Sequence, residues 1–237
     1  MSDSIYNFIL EIGESVYQTL IYDNRYKFII QGLFNTVIIA LLSVIIGIII
    51  GTLVALVRNN YDKNGKIRFF NYLAKGYVNI IRGTPVILQL MIIYYVVFKS
   101  VDISVILVGV LAFGINSGAY VSEIIRAGIQ SIPDGQTEAG YALGLNYRQV
   151  MQYIILPQAI RNILPALGNE FITLLKETSV GAYIGIIELT KASDIIASRT
   201  YDYFFPLILI AIIYLVMTLG LSKLVNVLER RLNHVRS

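Results

Sequence analysis

The chain contains no cysteine and no tryptophan, and histidine occurs once, as His234 near the C-terminus. Disulfides are therefore excluded, and a Cys/His metal site is not expected. Charge is scarce too: 14% of the 237 residues are charged, against about 25% in soluble domains. Apolar residues make up 56% of the chain, which places it among membrane proteins. The net charge of +4 is no nucleic-acid signal, because the basic residues sit beside apolar runs, where membrane topology accounts for them. No internal repeat and no low-complexity tract is present. The N-terminus, MSDSIYNFILEIGESV, has no positive n-region and no small-residue cleavage site, so no cleaved signal peptide is expected.

The longest stretch that is not membrane-like is Asp134 to Pro157, DGQTEAGYALGLNYRQVMQYIILP. Asp134, after Pro133, is placed to cap a short helix, since its carboxylate accepts orphan backbone N–H groups. Gly144 is placed to end that helix in a left-handed conformation that glycine adopts cheaply. Asn146 is placed to cap a second helix, Tyr147 to Leu156, which Pro157 bends into the next apolar run. The reading is a helix–bend–helix knob between membrane spans, suited to docking.

The apolar runs give five spans in an all-α integral membrane fold: about residues 28–57, 76–98, 105–125, 158–187 and 204–224. Residues 1–27 come before them. Ser4 to Leu20 read as amphipathic, with Ile5, Phe8, Ile9, Ile12, Val16 and Leu20 on one face. That helix either lies in the membrane interface or packs on the bundle, and packing is preferred. In span 1, Gly47 and Gly51 form a small-xxx-small pair suited to close helix contact. Arg58 to Lys75 reads as a basic loop, and Glu188 to Tyr203 as a loop of balanced charge on the opposite side. The basic loop and the basic tail, residues 227–237, fall on the cytoplasmic side by the positive-inside rule. With five spans the N-terminus is outside, and the Asp134–Pro157 knob is cytoplasmic.

Three spans carry polar residues that lipid would not tolerate. Span 2 contains Arg82-Gly83-Thr84-Pro85, a site for a kinked helix either lining a pathway or simply bent with Arg82 snorkelling. In span 3, Asn116, Tyr120 and Glu123 share a face, beside Ser117, and Glu123 can also pair with Arg126. Span 4 holds Asn169, Thr173 and Lys176 on one face and Glu170, Thr173 and Glu177 on an overlapping one. Lining a path and making interhelical or ion-pair contacts are both open readings. The lining candidates are Arg82, Gln89, Asn116, Ser117, Tyr120, Glu123 and Glu170. The acids would favour an amino group or cationic side chain, and Arg82 a carboxylate.

Glu138-Ala139 followed by Gly144 and Ile154-x-Leu156-Pro157 resembles the EAA loop of permease subunits of ATP-binding cassette (ABC) importers, with Gly140 in place of the usual third alanine. Arg82-Gly83-Thr84-Pro85, Glu123 to Ile129, Pro157-Gln158-Ala159-Ile160, Leu164-Pro165-Ala166, Asn169 to Ile172 and Leu175 to Ser179 are similar to the polar amino acid permeases of the histidine, glutamine and arginine type. The resemblance covers roughly residues 28–232. It implies the type I importer transmembrane fold in a bacterial cell membrane. It also implies a second permease subunit, taken here as identical, two cytoplasmic ATPase subunits and an extracytoplasmic amino acid-binding protein. Asp134, Glu138, Ala139, Gly144, Leu156 and Pro157 would then couple to the ATPase. Gly65-Lys66 lacks the pattern of a P-loop, so the chain is expected to be no ATPase, with ATP and Mg held by the partner and no cofactor of its own. Three rivals remain: a proton-coupled carrier using Glu123 and Glu170, an intramembrane hydrolase, and a scaffold. Uptake that survives removal of the ATPase partner would mark the first.

Overall fold

The computed structural model describes residues 2–233, apart from the side chains of 2–5, 8, 9, 63, 64 and 233. His234 and Arg236 lie outside the described residues, as do the side chains of Ile5, Phe8 and Ile9. The described residues are all-helical, without strands. The helices are α1 (Ser2–Val16), α2 (Tyr26–Asn64), α3 (Arg68–Gly83), α4 (Val86–Ile92), α5 (Val105–Gln130), α6 (Asp134–Ala142), α7 (Tyr147–Val150), α8 (Leu156–Glu177), α9 (Leu189–Thr200) and α10 (Phe204–Asn233). π-Helical segments follow α1 (Tyr17–Ile21), α4 (Ile93–Val97) and α7 (Met151–Ile155). A 3₁₀ segment, Thr178–Ile184, follows α8.

Among the described residues three helices are long and apolar enough to cross a membrane: α2, α5 and α10. The broken pair α3–α4 makes a fourth if counted as one span. α8 carries Arg161, Glu170, Lys176 and Glu177 and is not among them. α5 is the central helix, with 67% of its apolar window buried, against 28% for α2 and 11% for α10. Its closest neighbour is α2, and small residues allow that approach. A Cβ on Gly47 would come within 2.9 Å of Ser117, and one on Gly51 within 2.7 Å of Val121.

The expected basic loop Arg58–Lys75 is instead a helical hairpin. α2 runs on to Asn64, and only residues 65–67 are non-helical before α3 begins. α3 has an amphipathic pattern rather than an apolar one, which hid it in a search for spans. Span 2 is not one kinked helix from Gly76: α3 and the Val86–Val97 run meet at 110° across Thr84 and Pro85. The expected loop Glu188–Tyr203 is mostly the helix α9. Span 4 stays α-helical only to Glu177 and then tightens into the 3₁₀ segment.

Candidate functional site: the coupling knob and the polar face

The knob forms at the Gln130 end of the bundle. α6 ends on Gly144 at φ +79°. Its N–H donates to the Tyr141 carbonyl at 2.9 Å, and the Leu145 N–H donates to the Gly140 carbonyl at 3.1 Å. This paired closure satisfies two end carbonyls of the helix. Asn146 starts the next helix with a full capping box. The Gln149 N–H donates to Asn146 Oδ1 at 3.1 Å, and the Asn146 N–H donates to Gln149 Oε1 at 2.9 Å.

Two expectations fail here. Pro133, not Asp134, occupies the cap position, and Asp134 is the first helical residue with no side-chain cap bond. Its charge still complements the helix N-terminus. Nor does Pro157 close a separate helix. The chain is helical from Tyr147 through Glu177, and the π-helical Met151–Ile155 stretch precedes the proline, whose missing N–H falls where the hydrogen-bond spacing has already shifted.

The knob packs as one body with the ends of α5 and α8. Ile132, Val150, Ile155, Ala159 and Ile163 are buried together against Ile125, Ile129 and Ile154. Asn162 Nδ2 donates to Ser131 Oγ at 2.7 Å, tying α8 to the end of α5. Gly140 belongs to this contact: a Cβ there would lie 2.8 Å from Val150 and 2.9 Å from Ile154. The small residue in place of the usual alanine is thus matched to its neighbours. Outward, the knob presents Glu138, Ala139, Tyr141, Ala142 and Leu143, all exposed, with Leu143 at 79%. Leu156 and Pro157 are exposed as well.

The polar residues of the spans form three linked groups. In the first, Glu123 is shared by three guanidinium groups. Arg58 of α2 is hydrogen-bonded to Oε1, Arg126 Nη2 lies 3.0 Å from Oε2, and Arg82 Nη1 lies 4.0 Å from Oε2. Arg82 also lies over the Tyr120 ring, 5.5 Å from its centroid. Sequence reasoning foresaw the Arg126 pair but missed Arg58, which it placed in a surface loop. Its arrival at Glu123 depends on how α2 crosses α5.

In the second group, Gln89 holds the broken helix together. Its Nε2 donates to Ile81 O at 2.8 Å, to Thr84 O at 3.1 Å and to Thr84 Oγ1 at 2.8 Å. These carbonyls lose their helical partners at the Pro85 break, so the amide supplies what the backbone lacks. Gln89 Oε1 in turn accepts from Asn116 Nδ2 at 2.9 Å. In the third group, Ser117 Oγ donates to Glu170 Oε1 at 2.8 Å. Asn116 and Ser117 are buried between helices and line no open surface in this chain. Their interhelical reading is the one the geometry supports. Arg82 is exposed, and Gln89, Tyr120 and Glu170 are partly so.

One face of α8 stands out. Asn169, Thr173 and Lys176 are all exposed, a polar stripe in the second half of a helix whose first half exposes the apolar Ile160 and Leu164. Among the described residues no ion pair within 4.0 Å involves Lys176, so the pairing with an acid that its position allowed is not formed.

A family model described as "Binding-protein-dependent transport system inner membrane component" matches residues 43–234. The chain is 42% identical over 207 residues to a provisionally named glutamine transport system permease of Rickettsia typhi, covering 86% of this chain and 93% of that one. It is 41% identical over 207 residues to an arginine transport system permease of Bacillus subtilis, covering 86% and 92%. A solved structure of an amino acid ABC transporter with histidines superposes with a TM-score of 0.81 at 46% identity, covering 87% of this chain and 94% of that one. An inward-facing methionine ABC transporter, at 20% identity and a TM-score of 0.66, shares the fold.

Proposed function

Because the chain belongs to the family of binding-protein-dependent transport system inner membrane components, we propose that it forms the path of an ATP-driven uptake system for a polar amino acid. It is a multi-pass inner-membrane protein and the permease subunit of an amino acid ABC importer. The finer reading is ours. Five spans cross the bilayer, with the broken pair α3–α4 and the polar α8 counted and the N-terminus outside. The Gln130 end is then cytoplasmic and carries the knob to an ATPase subunit. ATP and Mg remain with that partner, and this chain has no cofactor and hydrolyses nothing. An extracytoplasmic binding protein delivers the amino acid at the Val105 end.

The observation that carries this reading is the exposed polar stripe Asn169–Thr173–Lys176 on a helix that the five-span reading puts within the membrane. Lipid would penalise it, so a second permease copy or a water-filled path has to cover it. With Arg82, Gln89, Tyr120 and Glu170 it supplies the polar groups we assign to the path of a zwitterion. Asn116 and Ser117 hold Gln89 and Glu170 in position from behind. Glu123, already shared by three arginines, serves as the hub that fixes Arg82, whose guanidinium is the candidate for a substrate carboxylate. Glu170 is the candidate for the amino group.

In the mechanism, closure of the ATPase pair draws two knobs together. Each knob moves as one packed body, so the ends of α5 and α8 turn with it and the polar face changes its access. The apolar patch of Ala139, Ala142 and Leu143 with Glu138 would fit a groove on the ATPase.

The test is uptake of arginine, glutamine and cystine, each alone and in competition, by vesicles holding the permease, its ATPase and its binding protein. ATP-dependent uptake of at least one is expected, and uptake unaffected by omitting the ATPase would overturn the reading. In the same vesicles Glu170→Ala is expected to lose uptake while ATP hydrolysis continues. Unchanged uptake and coupling would remove Glu170 from the path.

A further inference from the structure

α3 has three sides, and packing explains only one of them. Ala74 and Val78 are buried on the side turned to α2 and α5, where the Tyr77 hydroxyl donates to the Ile115 carbonyl. Phe69, Leu73 and Ile80 are exposed on a second, apolar side. On the remaining side stand Arg68, Tyr72, Lys75, Asn79 and Arg82, all exposed. They fall at i, i+4, i+7, i+11 and i+14, the spacing of one stripe along a helix. The three cations are seven residues apart, so each step is about 10 Å along the axis.

Nothing on α3 neutralises the stripe, because the helix contains no aspartate and no glutamate. Among the described residues no ion pair within 4.0 Å involves Arg68 or Lys75. Arg82 has its 4.0 Å contact with Glu123, yet its side chain stays 45% exposed.

The setting decides what lies against these cations. Tyr77 reaches Ile115, near the middle of α5, so α3 runs from the hairpin at residues 65–67 into the bundle. In the topology given above, that is from the cytoplasm into the membrane. A cationic stripe on such a helix faces water or protein, and the apolar side with Phe69, Leu73 and Ile80 takes the lipid. Anionic headgroups would meet only the Arg68 end. Across a two-fold axis a second copy would bring the same cations, and like charges repel, so a water-filled space is favoured there over direct contact. The inner end of the stripe is Arg82, the group assigned above to a substrate carboxylate. The stripe continues that chemistry toward the cytoplasm.

We propose that Arg82, Lys75 and Arg68 form an exit ladder that passes the carboxylate of the amino acid from the path to the cytoplasm, with Asn79 and Tyr72 as neutral hydrogen-bonding rungs between them. The inference rests on the transporter reading and its topology. Exposed cations bind an anion weakly, which suits passage: the carboxylate is attracted at each step and held at none.

The chain has no cysteine, so an introduced cysteine reports on its own surroundings. Asn79→Cys and Ile80→Cys, neighbours at one depth on different sides of α3, are made in the permease–ATPase complex in vesicles. Each is treated with two methanethiosulfonate reagents, one bearing a sulfonate and one a trimethylammonium group. Asn79→Cys is expected to react with both and, relative to a free thiol in solution, to favour the sulfonate reagent about tenfold, because Lys75 and Arg82 flank it. Ile80→Cys is expected to react slowly with both. Adding Lys75→Gln to Asn79→Cys is expected to remove most of the sulfonate preference. With the binding protein present, Lys75→Gln is expected to lower several-fold the glutamine or arginine moved per ATP hydrolysed, and Lys75→Arg to restore it. Equal labelling at the two positions, or no sulfonate preference at Asn79→Cys, overturns the proposal. So does an unchanged ratio of uptake to hydrolysis in Lys75→Gln, including a parallel fall of both, which marks a structural role. A parent complex that moves neither amino acid refutes the transporter reading instead, and the two failures are distinct because the labelling is read without transport.

Discussion

At the Gln130 end, a helix stops on a left-handed glycine and the next begins on a capping box, all between Gly144 and Gln149. At the Val105 end, α9 begins on the buried Glu188 carboxylate, which accepts from the Tyr214 hydroxyl of α10, while the next N–H, that of Leu189, donates to Thr36 of α2. Both ends join a span to a short helix, yet one is specified by neighbours in the chain and the other by neighbours in space. Local specification suits a knob that has to keep its shape while it is pushed. Distributed specification suits an anchor, because it ties down helices that are far apart in sequence.

The contrast can be broken most severely at the knob. Glu138→Lys reverses the charge of its exposed face, and Gly144→Asp puts a side chain at a left-handed position that favours glycine. Either change is expected to drop ATP-driven uptake to background while the chain still inserts in the membrane. Retained uptake in such a variant would sink the coupling role. At the other end, Gly32→Ala places a Cβ against the Glu188 carbonyl and the Leu189 N–H, and backbone cannot step aside as a side-chain tip can. Overpacking of this kind costs about 1–3 kcal/mol, so a lowered thermal midpoint of the purified permease is expected. Equal stability would mean that α2 and the α9 start are not truly locked. The mildest change is Asn146→Ala, which removes one cap at a cost of about 1 kcal/mol. A small drop in midpoint with nearly parental uptake is expected, because the helix it starts continues to Glu177. A collapse of uptake would show that the knob depends on more than local punctuation.

The same contrast explains what could be read from the chain beforehand. The left-handed Gly144, the Asn146 cap, the Gly47–Gly51 contact and the sharing of a face by Asn169, Thr173 and Lys176 are short-range patterns, and each is present in the fold. Arg58 looked like a loop charge because its partner, Glu123, is reached only when α2 crosses α5. The first half of α3, up to Lys75, and α9 read as loops because their charges suggest water rather than a helix with one packed face. Glu188 looked like one of several surface charges. Its burial comes from Gly32 and Tyr214, which nothing in the local sequence connects to it. Asn116 and Ser117 stand out in the sequence as polar residues in an apolar run, but which partners they meet, Gln89 and Glu170, is decided by the packing of the helices.

The π-helical stretch Met151–Ile155 sets the phase between the knob and α8. Each residue of a helix turns the chain by about 100°, so the wider turn fixes how the stripe Asn169–Thr173–Lys176 is clocked relative to Glu138. Knob and stripe behave like two cams keyed to one shaft. A shift of a single residue in the key would leave both cams well formed and pointing at the wrong partners.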